Sequence, residues 1–352
     1  MFGKNKLIGI LAGLSLLAAC SEDKLEPVGE TNVIRFEFPQ GSNPWDQEIK
    51  QIADDWGMYI IYKDYTKEDL NRNWVYSRWN PQYHGNLPSE TEVQIYLDVV
   101  KKWILNTYDK NKESDRNQLP VYFYFVNDYR DADSNFIRLN RSGFDYWSLS
   151  FTAEELDGGL NSKVLHGVAC PFGYNALKAR LDKKEIVESA FSAMTDYETA
   201  IGWKYESFED WHKRNPDKDY DYYDKWVSPD RKDPVNVYYK RGFVDEIEEK
   251  TFEINPWAYY PMWMPLIGRE DDKYPPVEER IFNDFTNYIR FSMLYTEKKI
   301  YEKYPINSED ESSNQANQLI RDKYHFVVDF VKSTYNIDLL EYAKLLEDGD
   351  RL

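Results

Sequence analysis

The first twenty residues constrain this chain most, because they limit which part of it can fold as a globular body. Lys4 and Lys6 precede a largely apolar stretch from Leu7 to Ala19, and Cys20 follows directly. A basic start, a short apolar core and small residues before a cysteine are typical of an export signal. The apolar stretch is shorter than the roughly 20 residues that a transmembrane helix needs. The sequence therefore predicts a signal peptide over residues 1–19, with the globular part after Cys20.

The residues around Cys20 predict a lipid anchor. Leu17-Ala18-Ala19-Cys20 resembles a bacterial lipobox, which implies cleavage before Cys20 and acylation of its thiol and its new amino group. More than one acyl chain makes such an anchor stable. Ser21-Glu22-Asp23-Lys24 resembles the acidic export tag of Bacteroidetes surface lipoproteins, which implies the outer face of the outer membrane. The alternatives are an ordinary secretory signal with an incidental Cys20, and attachment on the periplasmic face.

Composition indicates a globular chain and excludes one class of partner. The 352 residues include 11 Trp, 29 Tyr and 18 Phe, which is ample material for a core. A formal charge of −18 repels phosphate backbones, so nucleic acid is not expected as a partner. The same charge gives no attraction to anionic lipid, so we expect membrane contact through the lipid anchor alone. The second cysteine is Cys170, and no intramolecular disulfide can form once Cys20 is acylated.

Hydrophobic periodicity predicts an α+β chain. The predicted strands are residues 32–38, 58–62 and 119–126. The predicted helices are residues 44–55, 90–108, 184–203, 278–302 and 322–335, and the polar stretch 306–318 is expected to be mobile. Since no linker forces a domain boundary, we expect a tether over residues 20–31 and one domain over residues 32–352. That domain should combine a small mixed sheet with several long helices.

The order of these elements is similar to that of the zinc-binding metallopeptidase-like surface lipoproteins that accompany SusC/SusD-type uptake systems. The resemblance covers most of the mature chain and rests on the following segments: the helix and strand from Trp45 to Tyr62, the strand at Pro120, the helix 184–203, Lys240-Arg241-Gly242-Phe243-Val244, the helix at Asn283-Asp284-Phe285, and Tyr335-Asn336-Ile337-Asp338-Leu339. It implies a single zincin-like domain and a SusC/SusD-type outer-membrane transporter as the partner.

The resemblance also implies where a zinc site would lie. Active members carry HExxH, in which two histidines one helical turn apart bind zinc and the glutamate activates water. Matching the motifs puts Glu188 and Ser192 at the histidine positions, Ser189 at the general base and Asn287 at a third ligand from a later helix. Hydroxyl and amide oxygens do not replace imidazoles at zinc. We therefore interpret these four positions as a vestigial zinc site, and expect no metal, no other cofactor and no catalytic residue.

The four histidines lead to the same expectation without any alignment. His84, His166, His212 and His325 are widely separated, and none has a second histidine within four residues. The resulting hypothesis is a catalytically inactive accessory or binding subunit of a nutrient-uptake complex. The alternative is an enzyme, either a metallopeptidase with an unrecognised site or another hydrolase acting on cell-surface peptides or glycans.

One aromatic segment is a candidate ligand surface. Residues 255–268 are apolar but are broken by three prolines, so they cannot form a regular helix or strand. Trp257, Tyr259, Tyr260 and Trp263 of this segment are candidate binding residues for a glycan or a peptide, since aromatic side chains are enriched at interfaces. A place in the core is the alternative for these side chains.

We predict that Cys20→Ala abolishes lipid attachment and leaves the globular part folded, because Cys20 carries the whole anchor in this interpretation. Fractionation and metabolic labelling with a fatty-acid probe measure the effect. A mutant that stays in the membrane fraction and keeps its label would contradict the prediction.

Overall fold

The chain folds as an α+β structure. The computed structural model describes residues 35–72, 82–141, 143–198, 204–205, 212–213, 216–217, 226–227, 240–244, 275–307 and 309–349. The strands are β1 Tyr59–Ile61, β2 His84–Asn86, β3 Tyr122–Arg130, β4 Leu139–Asn140, β5 Tyr146–Phe151, β6 Lys204–Tyr205 and β7 Trp226–Val227. The helices are α1 Pro44–Trp56, α2 Glu90–Val99, α3 Glu113–Arg116, α4 Ala153–Gly158, α5 Ser162–Arg180, α6 Lys183–Glu188, α7 Val277–Leu294, α8 Glu297–Lys303, α9 Glu311–Tyr335 and α10 Leu339–Gly349. The predicted fold class, α+β with a small mixed sheet and several long helices, is confirmed.

The main sheet is organised around β3. Strand β1 pairs in parallel with the start of β3, and β2 pairs antiparallel with its end. On the other edge β5 runs parallel to β3, and β4 pairs antiparallel with β5. Residues Tyr122 to Asn127 of β3 are buried, as expected for a strand with neighbours on both edges and helices against its faces. The predicted strands at 58–62 and 119–126 are confirmed as β1 and β3.

Helix α1 begins and ends where its sequence predicts. Asn43 and Asp46 form a capping box at its start, where Pro44 occupies the first turn. At its end Gly57 adopts φ +70°, and its N–H donates to the Ala53 carbonyl at 2.9 Å. The buried Asp46 carboxylate also accepts the Tyr62 hydroxyl at 2.7 Å, which ties α1 to the end of β1.

Helix α2 attaches to the sheet through Tyr96. Its hydroxyl lies 2.8 Å from the Val126 carbonyl oxygen and accepts the Phe151 N–H at 3.1 Å, and its ring stacks on Phe125 at 4.9 Å. The predicted helix 90–108 is helical from Glu90 to Thr107, but the number of residues per turn changes along it. It continues beyond Val99 as a π-turn over Val100–Ile104 and a 3₁₀ turn over Leu105–Thr107.

A second layer consists of α5, α7, α9 and α10, which pack against one another. Periodicity missed α5, because Pro171 and glycines interrupt its pattern. One of these glycines is required by the packing. A Cβ on Gly173 would lie 2.5 Å from the Tyr342 hydroxyl, so the glycine permits the close approach of α10.

Several sequence-based predictions differ from the structure. The predicted helix 184–203 ends at Glu188, and a short 3₁₀ turn over Ala190–Ala193 follows it. The predicted helix 278–302 is two helices, α7 and α8, with a break at Tyr295 and Thr296. The polar stretch expected to be mobile instead contains the start of α9, capped by Asp310. Residues 35–38, the described part of the predicted strand 32–38, form bends.

The chain divides into two units, with the boundary between Gly41 and Ser42. Of the first unit only residues 35–41 are described, and the Phe38–Pro39 peptide bond there is cis. Within the described residues, no helix combines the length and the apolar character that crossing a bilayer requires.

We predict that Tyr96→Phe lowers the free energy of unfolding by about 1–3 kcal/mol, because the buried Phe151 N–H loses its hydroxyl acceptor. Urea unfolding followed by circular dichroism measures this change. The control is Tyr301→Phe on α8, where the side chain is 42% exposed. That control should change stability by less than about 0.5 kcal/mol, and equal effects of the two variants would contradict the prediction.

Candidate functional site

The predicted histidine positions do not share one α-helical face. Helix α6 ends at Glu188, and Ser189 is extended, with φ −76° and ψ 168°. The helical spacing that would put residues 188 and 192 one turn apart is therefore interrupted between them. Glu188 is 66% exposed and lies 3.7 Å from the Lys184 ammonium. The expectation of an uninterrupted helix carrying these positions is wrong.

The two serines are engaged locally. The Ser189 hydroxyl donates to the Ile186 carbonyl at 2.6 Å and accepts the Phe191 N–H, so it caps the 3₁₀ turn. The Ser192 hydroxyl donates to the Ser189 carbonyl at 2.9 Å. Hydroxyls used in this way compete with regular helix formation, which accounts for the break after α6.

The predicted third position, Asn287, lies on α7 and is buried. Its side-chain oxygen accepts a hydrogen bond from the Arg290 guanidinium. The 3₁₀ turn after α6 reaches α7 through Phe191, whose ring lies 5.2 Å from that of Phe285. The structure thus brings the two predicted segments into contact through an aromatic side chain. The interpretation of the four positions as a vestigial zinc site stays a prediction.

The remaining predicted residues, Cys20, Trp257, Tyr259, Tyr260 and Trp263, lie outside the described residues. Among the residues that are described, no group of three His, Cys, Asp or Glu side chains is arranged to hold a metal ion.

The polar centre that the structure does form near these segments is an ion pair between α7 and α9. The Lys323 ammonium lies 2.5 Å from Asp284 Oδ2, and both side chains are 0% exposed. The same oxygen accepts the Tyr197 hydroxyl at 2.6 Å, and Lys323 also donates to the Gly242 carbonyl at 3.2 Å. Asp284 Oδ1 is buried without a hydrogen-bond partner in the described structure.

Aromatic rings enclose this ion pair. The Lys323 ammonium lies 4.9–5.4 Å from the ring centroids of Phe191, Tyr197, Phe243 and Tyr288. Gly242, at φ +69°, positions the carbonyl that accepts from both Lys323 and Tyr288. Rings at this distance stabilise a cation through their faces while they exclude water. Below, this cluster is called the lysine cage.

Burial changes both pKa values in the lysine cage. Loss of hydration raises the pKa of Asp284, although the nearby Lys323 ammonium opposes this change. The same loss lowers the pKa of Lys323, opposed by the carboxylate. Burial disfavours the charged form of each group, so the two groups move towards a shared neutral state.

Cys170 and His166 form a second buried pair, one turn apart on α5. The distance from Cys170 Sγ to His166 Nε2 is 3.0 Å, and Nε2 also lies 3.2 Å from the Met293 carbonyl oxygen. A carbonyl can only accept, so Nε2 carries a hydrogen and cannot remove the thiol proton. Burial raises the pKa of the Cys170 thiol and lowers the pKa of His166. The pair is therefore neutral and unreactive, as expected for a buried Cys170.

An open groove of about 650 Å³ lies where the C-terminal ends of α1, α5 and α9 meet the segment 105–112. Its lining includes Trp56, Tyr108, Tyr335, Lys110, Lys112 and Arg180. No sequence pattern pointed to this groove, because its residues come from four separate segments.

Three contacts hold the Arg180 side chain in place in the groove lining. Its side chain is 9% exposed and lies 3.3 Å from Asp115 Oδ2, and it donates to the Thr107 carbonyl at 2.7 Å. Its guanidinium also covers the Tyr335 ring at 5.7 Å. Trp56 at the rim is half-buried, and no hydrogen bond or ring contact to it is present in the described part of the chain.

Comparisons with known proteins leave the family open. No family model matches the chain, and no curated protein matches it. Among solved structures it is similar to a "putative zinc-binding metallo-peptidase" from Bacteroides caccae ATCC 43185, with 12% identity and a TM-score of 0.39. The match covers 88% of this chain and 95% of that chain. A likeness at this level assigns neither a family nor an activity.

We predict that His166→Gln flattens the pH dependence of stability in mild acid. Because burial lowers the His166 pKa, the unfolded chain binds a proton below about pH 6.5 that the folded chain does not bind. This contribution to stability is complete above that pH and is lost, by up to about 1.4 kcal/mol per pH unit, as the pH falls towards the folded pKa.

Urea unfolding between neutral pH and mild acid tests this prediction. Glutamine keeps a donor for the Met293 carbonyl but does not titrate. The control is His84→Gln, which removes a histidine from an exposed position in β2 and is measured in the same way. A slope unchanged in His166→Gln would contradict the assignment of a neutral, buried imidazole.

Proposed function

We propose that this chain is a lipid-anchored binding protein of the outer-membrane surface, inactive as a metallopeptidase, that holds a glycan in the groove between α1, α5 and α9. It would act as an accessory subunit of a SusC/SusD-type nutrient-uptake complex. The observation that carries the proposal is the groove itself, whose lining combines aromatic side chains with an Arg180 that is held by Asp115.

The chemistry of the groove favours a sugar ligand. Sugars present apolar C–H faces and rings of hydroxyls, so they need a flat aromatic surface beside mixed donors and acceptors. Trp56 contributes an aromatic side chain to the lining, and Lys112 offers a cationic donor without an ion-pair partner among the described residues. Asp55 and Asp109 add carboxylates to the same lining, where Asp55 pairs with Lys110 at 3.2 Å and Asp109 accepts the Asn111 N–H at 3.0 Å. A peptide ligand remains an outcome of the binding test.

The contacts of the predicted metal positions support a role without metal chemistry. The predicted position on α7 is Asn287, whose side-chain oxygen accepts a hydrogen bond from the Arg290 guanidinium. Glu188 is largely exposed and pairs with Lys184 on its own helix. These contacts leave no free anionic cluster at the predicted metal position in the described structure.

The location and the transporter partner rest on the sequence rather than on the groove. The anchor follows from the motif at Cys20, and the partner follows from the resemblance to SusC/SusD-associated lipoproteins. Capture by the tagged full chain from detergent-solubilised membranes tests the partner. A capture that repeatedly returns no transporter component would contradict this part of the proposal.

We predict that Trp56→Ala weakens glycan binding by about tenfold or more, the equivalent of about 1.4 kcal/mol, because it removes the largest aromatic side chain of the groove lining. Glycan and peptide arrays identify the ligand, and calorimetry with the best ligand measures the affinity. The matched control, Tyr301→Ala, removes an exposed aromatic side chain on α8 away from the groove.

The outcomes separate the parts of the proposal. Tight binding of a sugar that Trp56→Ala weakens and Tyr301→Ala does not change supports the groove as the site. Binding of peptides alone would overturn the glycan assignment, and equal losses in both variants would overturn the groove. Elemental analysis that finds about one zinc per chain, together with peptide cleavage, would contradict the inactive assignment.

A further inference from the structure

One nitrogen of the Arg180 guanidinium in the groove has no hydrogen bond within the described structure. Nε lies 3.3 Å from Asp115 Oδ2, and Nη1 donates to the Thr107 carbonyl at 2.7 Å, but Nη2 donates to no protein atom there. We propose that the groove takes an acidic glycan, and that the carboxylate of a uronic acid unit accepts from Arg180 Nη2. This inference rests on the proposed function and names the class of sugar that the groove takes.

The Arg180 side chain is held in advance for such a contact. Its contacts with Asp115 and Thr107, and the Tyr335 ring at 5.7 Å, hold the planar guanidinium while the side chain is only 9% exposed. A fixed donor loses little side-chain entropy when a ligand binds. A nearly buried N–H without an acceptor carries a desolvation cost, so a ligand oxygen at Nη2 would remove that cost as well.

The other uncommitted groups near Arg180 are donors. Tyr108 lines the groove, and its hydroxyl makes no hydrogen bond to any described residue. Burial raises the pKa of Tyr108 to about 12, so the hydroxyl keeps its proton at neutral pH and can donate it to a ligand. Lys112 adds an exposed ammonium without an ion-pair partner in the same part of the chain. An ionised carboxylate only accepts, whereas a sugar hydroxyl both donates and accepts, so this set of donors favours a carboxylate.

The carboxylates of the groove lining are already engaged. Asp55 is in an ion pair, and Asp109 accepts the Asn111 N–H at 3.0 Å. That hydrogen bond lowers the pKa of Asp109, and the charges of Lys112 and Arg180 lower it further. The field of these two cations therefore reaches a carboxylate of the lining, and a carboxylate on a ligand in the same groove experiences it too.

The negative charge of the whole chain does not oppose this contact at short range. The formal charge is −18, but the Debye length at physiological salt is about 8 Å, so remote carboxylates are screened from the groove. Arg116 of α3 adds a second cation without an ion-pair partner among the described residues, and it donates to the carbonyl of Lys110 in the lining. The groove is therefore locally richer in uncompensated cations than the charge of the chain indicates.

The remainder of the lining suits the neutral part of an acidic sugar. Trp56 supplies an aromatic ring for the apolar C–H face. Asn106 and Asn336 are exposed in the lining, and their side chains make no hydrogen bond within the described structure. An amide both donates and accepts, as the hydroxyls of a sugar do.

Calorimetry on the purified full chain tests the proposal at physiological salt. The ligands are polygalacturonate, alginate and glucuronoxylan, each beside its carboxyl-reduced counterpart, which keeps the polymer backbone but lacks the charge. We expect at least one acidic form to bind about tenfold or more tightly than its reduced counterpart, the effect of losing a hydrogen bond between charged groups.

The outcomes separate this inference from glycan binding itself. Equal affinity for the acidic and reduced forms, or neutral or sulfated sugars as the sole ligands, would overturn the carboxylate contact. If Trp56→Ala still weakened the binding of those sugars, the groove would stand as a glycan site. The absence of any glycan ligand would overturn both proposals.

Variants assign the contact to the groove. Arg180→Lys keeps a charge but lacks Nη2, and it should weaken binding of the acidic form by about tenfold or more. Lys112→Gln, at an exposed position, should weaken it by about threefold, as expected of an exposed charge, and should leave the reduced form unchanged. The matched control is Lys299→Gln on α8, a 53% exposed lysine outside the groove lining.

Tyr108→Phe keeps the test decisive if Arg180→Lys fails to fold, which circular dichroism measures. This variant removes only a hydroxyl and should weaken binding of the acidic form more than binding of the reduced form. Equal losses for both forms in Tyr108→Phe and Lys112→Gln would overturn the proposal. Equal losses in Lys112→Gln and Lys299→Gln would also overturn it, because they would show an effect of overall charge and not of the groove.

Discussion

The interaction between Asp284 and Lys323 holds the helical layer in its arrangement. The pair joins α7 to α9. Asp284 also accepts the hydroxyl of Tyr197, which lies after α6, and Lys323 also donates to the carbonyl of Gly242 in the segment 240–244. The contacts that offset the burial of this pair are made by Asp284 Oδ2 and by the Lys323 ammonium, whereas Asp284 Oδ1 has no partner in the described structure. Removal of one partner alone leaves an uncompensated buried charge, at a cost of about 3–5 kcal/mol. The positions of four chain segments are therefore coupled through this ion pair.

Solvent access separates the polar groups of this protein into two kinds. In the lysine cage and in the His166–Cys170 pair, burial favours neutral forms and excludes outside ligands. In the groove, Arg180 is held by Asp115 and Thr107 and still lines an open cavity. The interior sites therefore hold the packing of the chain together, whereas the groove favours recognition of another molecule. The one described cysteine, Cys170, is free and buried.

Local capping explains where the sequence-based elements were correct and where they were wrong. α1 was predicted well because its start and end are both coded locally, by Pro44 and Gly57. The helix after residue 183 was predicted too long because the apolar spacing continues past Ser189, although the serine hydroxyl ends the helix. α5 was missed for the opposite reason. Pro171 argues against a helix locally, but the contacts of α5 with α7 and α10 stabilise it.

The sequence alone determined the α+β class, the main strand β3 and the lack of any HExxH motif, because periodicity and motif spacing are local properties. Only the tertiary structure decided the role of Lys323. On an amphipathic helix a lysine is ordinarily assigned to the solvated face, and its partner Asp284 lies on another helix. The groove was decided in the same way, since Trp56, Lys112 and Arg180 come together only at helix ends. Burial and proximity depend on packing between distant segments, and no local pattern carries that information.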